Sequence, residues 1–282
     1  MAKISSIKTR NTYAGHIIIA LLVVILLSSL GYWAYLYNKQ SKLLFHPHKL
    51  TLKQLKNIEK SYPNSLFFIK TKRGKIQGFQ LHNQMYKPII IFLGGNREKA
   101  HQFLYLFDKL KDYHIIIPNY PGYGLSTGKP TQKDIFNTAL IVYDYFVKRY
   151  KPKKIFVIGR SLGTSPAVYL AYKRHVDAIC LITPFDSVES LAQEQYPFVP
   201  VALLLKYPFN TVRYAKYVKT PCLFILASHD TTVPRKHSLH LIHVWKGYKK
   251  VIILPHTTHS NIMSYPNILK IIEKFFKQYN FS

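Results

Sequence analysis

Short apolar runs recur down this chain. From residue 65 onward they alternate with segments whose apolar positions fall three and four apart. The runs predict strands at 65–72, 75–82, 88–93, 114–118, 155–158, 178–183, 222–227 and 251–254. The wider spacing predicts helices at 99–111, 134–149, 165–174, 236–245 and 268–279. Arg73-Gly74 separates the first two strands and reads as a hairpin turn. The later strands alternate with helices, which implies a mostly parallel sheet joined by crossovers. The expected fold class is α/β: an eight-stranded, mostly parallel sheet flanked by helices, with no internal repeat.

One apolar run is of a different kind. No charged residue lies between Asn11 and Asn38, and the stretch from Ile17 to Tyr37 is almost wholly apolar. As a helix it reaches ~31 Å, about one hydrocarbon core. Tyr32, Trp33, Tyr35 and Tyr37 cluster at its end, as in an interfacial aromatic belt. An uncleaved transmembrane anchor fits this pattern. A cleaved signal peptide is the alternative, although bulky aromatics directly after the apolar run make a poor cleavage site. The expected organisation is an N-terminal tail at 1–15, an anchor at 16–37, a basic juxtamembrane linker at 38–64 and a globular domain at 65–282. Within that domain, residues 186–221 break the alternation as a short helical insert rich in Pro, Tyr and Leu.

Charge adds a constraint. The chain has 40 Lys and Arg against 12 Asp and Glu, a formal +28, and no acidic residue precedes Glu59. The juxtamembrane stretch therefore suits anionic headgroups. Lys3, Lys8 and Arg10 before the apolar run balance Lys39, Lys42, Lys49 and Lys53 after it, so the positive-inside rule casts no clear vote on sidedness. A domain carried across the membrane behind a short cytoplasmic tail is the orientation favoured. The basic residues are scattered along the chain and no nucleic-acid recognition motif is present, so the expected partners are a membrane and a small or lipid ester, not nucleic acid. Cys180 and Cys222 fall inside neighbouring predicted strands and read as buried thiols.

Candidate chemistry lies at the strand ends. Gly159-Arg160-Ser161-Leu162-Gly163 joins the apolar strand 155–158 to a helix. At such a junction the glycines permit a strained turn that lifts the serine oxygen above the sheet edge as a nucleophile. Serine needs a base, and the base needs a carboxylate to fix its tautomer. Asp230 follows the strand at 222–227, and His259 follows the strand at 251–254. Both lie where open α/β sheets place their sites.

Further motifs are Phe92-Leu93-Gly94-Gly95-Asn96, the loop from Asn119-Tyr120-Pro121-Gly122-Tyr123-Gly124 to Thr131, Tyr196-Pro197-Phe198-Val199-Pro200-Val201, and Asp230-Thr231-Thr232-Val233-Pro234. On these motifs and the serine elbow the chain resembles the α/β-hydrolase superfamily, notably its single-pass membrane serine hydrolases and related protein depalmitoylases. The likeness runs from about Leu44 to the C-terminus. It implies Ser161 as nucleophile, Asp230 as triad acid, His259 as general base, and backbone N–H groups of Asn96 and Leu162 as the oxyanion hole. It also implies no metal and no organic cofactor, and a cap formed by the insert. The chain departs from many relatives at Gly94 (often histidine), Asn119 (often aspartate) and Thr257-Thr258 (often Ala-Gly).

The expected activity is cleavage of carboxylic esters or thioesters through an acyl-enzyme. An aminopeptidase-like enzyme of the same fold would need Glu189 or Glu194 to hold an ammonium group. An inert interaction module is the non-enzymatic alternative, although all three reacting groups are kept. Asp186 rivals Asp230 but also begins a capping pattern, Asp186-Ser187-Val188-Glu189. His256 rivals His259 but sits closer to its strand. The helical trio His237, His240 and His243 reads as a partly exposed stripe, and His46-Pro47-His48 lacks closing ligands for zinc. The glycines at 122–128 miss the spacing of a phosphate loop. Tyr196, Phe198, Val199, Leu203, Leu204 and Leu205 read equally as walls of an acyl pocket or as packing beneath the insert.

Overall fold

The computed structural model describes residues 2–280, with side chains from Gly15 onward. Lys3, Lys8 and Arg10, on which sidedness turns, lie outside the described side chains. Among the described residues, eight strands form one sheet: β1 Leu66–Thr71, β2 Gly74–Leu81, β3 Ile89–Leu93, β4 His114–Pro118, β5 Ile155–Arg160, β6 Ala178–Ile182, β7 Cys222–Ala227 and β8 Lys249–Leu254. Their spatial order is β1-β2-β4-β3-β5-β6-β7-β8. β1–β2 and β2–β4 pair antiparallel and the remaining pairs are parallel. This is the expected architecture.

The helices are α1 Ala2–Leu44, α2 Leu52–Ser61, α3 Leu104–Phe107, α4 Gln132–Tyr150, α5 Thr164–Lys173, α6 Val188–Gln195, α7 Val201–Leu204, α8 Val212–Ala215, α9 Arg235–Val244 and α10 Ile268–Lys277. The sheet divides the apolar interior in two, and strand alternation decides which residue goes where. In β3, Ile89, Ile91 and Leu93 face the core built with α4 and α5, while Ile90 and Phe92 face the core built with α3 and α10. Cys180 and Cys222 fall in opposite cores and are free thiols. Burial pushes both thiols well above their ordinary range.

Two elements differ from expectation. The helix at 99–111 is reduced to a 3-10 turn, Ala100–Phe103, followed by the single turn of α3. Lys99 provides no side-chain cap there, so the orphan N–H groups lack the partner that would favour a full helix start. Conversely, α2 forms inside the basic stretch 38–64. Thr51 and Gln54 make a reciprocal capping box, and Ile58 turns into the core.

α1 is the element that bears most on function. From Gly15 to Leu44 it is long and apolar enough to cross a membrane, and none of its most apolar stretch is buried within the chain. It runs past the expected limit at 37 without a break and ends against the domain, where Phe45 enters the core.

Candidate active site

β5 ends at Arg160, and the next residue, Ser161, takes a left-handed φ of 50°. The strain sits on the serine itself. The flanking glycines, expected to carry the turn, adopt no positive φ and serve a steric purpose instead. A Cβ on Gly163 would collide with the carbonyls of Leu93 and Gly94, and one on Gly159 would meet Ala167 and the Gly163 carbonyl. The elbow is thus compressed between β3 and α5, and Ser161 is left as the residue that can turn outward.

His259 Nε2 stands 2.8 Å from Ser161 Oγ, and His259 Nδ1 stands 2.9 Å from Asp230 Oδ2. The other Asp230 oxygen accepts the backbone N–H groups of Thr232 and Val233 at 2.9 and 2.8 Å, which fixes the carboxylate. The three predicted reacting groups are therefore brought together in one hydrogen-bonded line. His256, at φ 55°, is exposed and takes no part.

The rival acid lies elsewhere. Asp186 Oδ1 accepts the Ser187 N–H at 2.6 Å and the Ser190 hydroxyl at 2.5 Å, and it contacts His237 Nδ1 at 3.0 Å. Its Oδ2 contacts His240 Nδ1 at 3.0 Å. Burial alone would raise this carboxyl, but the bonds from Ser190, His240 and Ser187, with the charge on His237, outweigh burial and hold it low. The capping expectation is off by one: Ser187, not Asp186, caps α6, because its hydroxyl accepts from the Ser190 N–H. Nor is His237 part of a partly exposed stripe. It is buried, with its Nε2 on Glu194 at 2.7 Å. Among the described residues no group of three or more His, Cys, Asp or Glu side chains is placed to hold a metal.

The glycine loop that follows β3 is held from two sides. Tyr120 Oη donates to the Gly94 carbonyl at 3.0 Å and Tyr123 Oη to the Asn96 carbonyl at 2.7 Å. Burial pushes both phenols up, Tyr123 to about 12, so each remains a donor at neutral pH. The tyrosine-glycine loop thereby braces the segment expected to supply one oxyanion donor. Replacing Tyr120 with Phe is expected to lower kcat about 10-fold with little change in KM, and to cost ~1 kcal/mol of stability. Steady-state kinetics and a thermal melt read the two effects.

A second support was not anticipated. Arg160, buried beside the nucleophile, forms an ion pair with Glu98 and donates to the His259 carbonyl at 2.6 Å. Glu98 in turn accepts the Gly95 N–H at 2.6 Å. Burial lowers the Arg160 guanidinium to about 10, with Asp230 acting in the opposite direction. One buried pair thus joins the nucleophile strand, the histidine loop and the glycine loop. The sequence carried half of the signal, a charge inside a buried turn, but its partner Glu98 lies far away along the chain.

Over Ser161 lies a cavity of about 480 Å³, within the ordinary range for small-molecule sites. Asn96 and Leu162 line it beside the serine, and Arg97 is its only charged wall residue. Of the insert residues, Tyr196, Val199, Leu204 and Leu205 are walls, whereas Phe198 and Leu203 face outward. Glu189 and Glu194 do not line it, and Glu194 is engaged by His237 and Lys236. Among the described residues no carboxylate lines the cavity. The remaining wall is α1, which contributes Leu36, Tyr37, Gln40, Leu43 and Leu44. It is fastened there: Gln40 Nε2 donates to the Leu204 carbonyl and Gln40 Oε1 accepts the Lys206 N–H, both at 2.7 Å. Asn96 Nδ2 donates to the Leu44 carbonyl at 2.8 Å.

Known proteins share this framework. A family model described as the alpha/beta hydrolase fold matches residues 88–207. The lysophosphatidylserine lipase ABHD12 of Danio rerio is 28% identical over 177 residues, covering 54% of this chain and 45% of that protein. Human protein ABHD12B is 28% identical over 218 residues, covering 67% of this chain and 60% of that protein. The matched segment thus spans only about half of the lipase. Among solved structures, the α/β-hydrolase GrgF from Penicillium superposes with a TM-score of 0.63 at 15% identity, over 77% of this chain and 99% of its own. Est1E of Butyrivibrio proteoclasticus, with ferulic acid bound, gives 0.62 at 16% identity, over 77% and 100%. At such identity these structures speak for the fold alone.

Proposed function

We propose, from the premise that this chain is an α/β-hydrolase in its fold and in the family it matches, that it is a membrane-anchored serine hydrolase of long-chain carboxylic esters or thioesters. The observation that carries the reading is the Ser161–His259–Asp230 line beneath an apolar cavity. Ser161 Oγ attacks the substrate carbonyl as His259 Nε2 takes its proton, and Asp230 holds the imidazole with Nδ1–H toward its carboxylate. The backbone N–H groups of Asn96 and Leu162 receive the oxyanion. Collapse of the tetrahedral intermediate expels the alcohol or thiol, protonated by His259, and leaves an acyl-Ser161 ester. Water, deprotonated by the same histidine, then attacks that ester, and Ser161 is regenerated as the acid leaves.

The walls support an acyl chain more than a polar one. The charged exception, Arg97, shares the cavity wall with Ser161, where it suits an anionic or uncharged headgroup. That a relative bears the name of a lysophosphatidylserine lipase agrees with a lipid substrate. The test is a chain-length series of p-nitrophenyl esters and thioesters on the full chain. Palmitoyl substrates are expected to exceed butyryl ones at least 10-fold in kcat/KM. Equal or inverted rates would remove the lipid assignment, and no turnover of any ester would remove the hydrolase assignment.

A further inference from the structure

Phe198 and Leu203, at 93% and 85% exposure, are the most exposed large apolar side chains among the described residues. Single exposed apolar groups are ordinary. These two belong to one insert, they flank residues that line the catalytic cavity, and that insert is pinned to α1 at Gln40. Gln40 lies one turn beyond Tyr37, where the apolar run ends. Lys206 Nζ sits 3.7 Å above the Tyr37 ring. The α1 wall residues, Leu36 to Leu44, occupy one helix face and extend ~12 Å from the aromatic belt to the domain. The cavity therefore begins at headgroup depth, where aromatic belts reside.

We propose that the cavity is loaded sideways from the bilayer, with Phe198 and Leu203 inserted into the membrane beside α1 as the lip over which a lipid passes. The inference rests on the hydrolase and anchor reading above and narrows it: the substrate is a lipid resident in the membrane, not one delivered from solution. The bilayer is the occupant because the lip is fastened to the helix that is apolar enough to span it, and because the nearby cations Lys39, Lys42 and Lys206 suit its headgroups. An acyl chain sliding along α1 past Tyr37 would stay in apolar surroundings until its carbonyl met Ser161.

Both native cysteines are buried, so single cysteines at 198 or 203 in the full chain accept an environment-sensitive fluorophore selectively. The control is Tyr248→Cys, exposed just before β8 and so at the end of the sheet opposite the site. In vesicles of phosphatidylcholine and phosphatidylserine, nitroxide lipids are expected to quench labels at 198 and 203 at least threefold and to spare 248. The double variant Phe198→Asp/Leu203→Asp is expected to keep turnover of a water-soluble butyrate ester within twofold. Its turnover of a long-chain ester embedded in vesicles should fall at least 10-fold. Unquenched labels would overturn the inserted lip, and quenching with undiminished vesicle turnover would overturn loading across it. Quenching in a protein that hydrolyses no ester would retain the lip and reject the hydrolase reading.

Discussion

Ser161→Ala is expected to abolish labelling by a fluorophosphonate and to lower ester turnover about 10⁶-fold, while Asp230→Asn should lower kcat about 10⁴-fold. The difference follows from geometry. Removing Ser161 Oγ removes the atom that forms the acyl bond. Asparagine at 230 keeps the shape, but its amide presents N–H donors where the Nδ1 proton must be accepted, so the imidazole is turned to the wrong tautomer. Asp230 Oδ1 accepts both the Thr232 and the Val233 N–H groups, a role the amide oxygen of Asn can keep, so the loop itself should tolerate Asn. A melting temperature within about 2 °C of wild type, together with the loss of kcat, would assign the effect to tautomer control. If Asp230→Asn retained more than a tenth of wild-type kcat, another carboxylate would have to be acting, and Asp186 is too deeply committed to His237, His240 and Ser190 to be moved without refolding α6.

The second large effect concerns the Arg160–Glu98 pair. Arg160→Met leaves the Glu98 carboxylate largely buried without its cation and frees the His259 carbonyl. Losing one partner of a buried pair costs about 3–5 kcal/mol, which should lower the melting temperature by on the order of 10 °C. kcat should fall about 100-fold as both the histidine loop and the glycine loop loosen. The double variant Arg160→Met/Glu98→Gln separates the causes. Stability should partly return because the stranded charge is gone, whereas kcat should not, because the tie to His259 is still missing. A double variant as unstable as the single one would mean that packing by the Arg160 side chain, not its charge, supports the site.

How much of this was legible in the chain depended on whether the signal was local. The inner strands β3 to β7 announced themselves because each is buried on both faces and so reads as an unbroken apolar run; β4 and β7 match their expected limits to the residue. The triad candidates were legible because strand ends are where such a sheet gathers its loops. What was not legible depended on pairing across distance. Nothing near Arg160 in sequence says that Glu98 will neutralise it or that the His259 carbonyl will receive it. The phenols of Tyr120 and Tyr123 look like core aromatics until their partners, carbonyls some 26 residues away, are seen. Asp186 shows the reverse error: a capping pattern was visible, but a one-residue shift handed the cap to Ser187 and released the carboxylate to two histidines from α9. α2 escaped notice because only one of its residues is buried, too few to mark an apolar face.

The seating of α1 against the cavity changes what the anchor is. An anchor is commonly treated as an interchangeable tether, to be trimmed for soluble expression or exchanged for another span. Here the last turns of α1 are a wall of the cavity, lined by Leu36, Leu43 and Leu44 together with residues of the domain, and on the proposed reading they would be part of its ruler. Under the proposed reading, chain-length preference would therefore be written partly in α1. A trimmed enzyme would present an open trough to solvent, and inhibitors selected against that trough would be matched to a shape the anchored protein does not have.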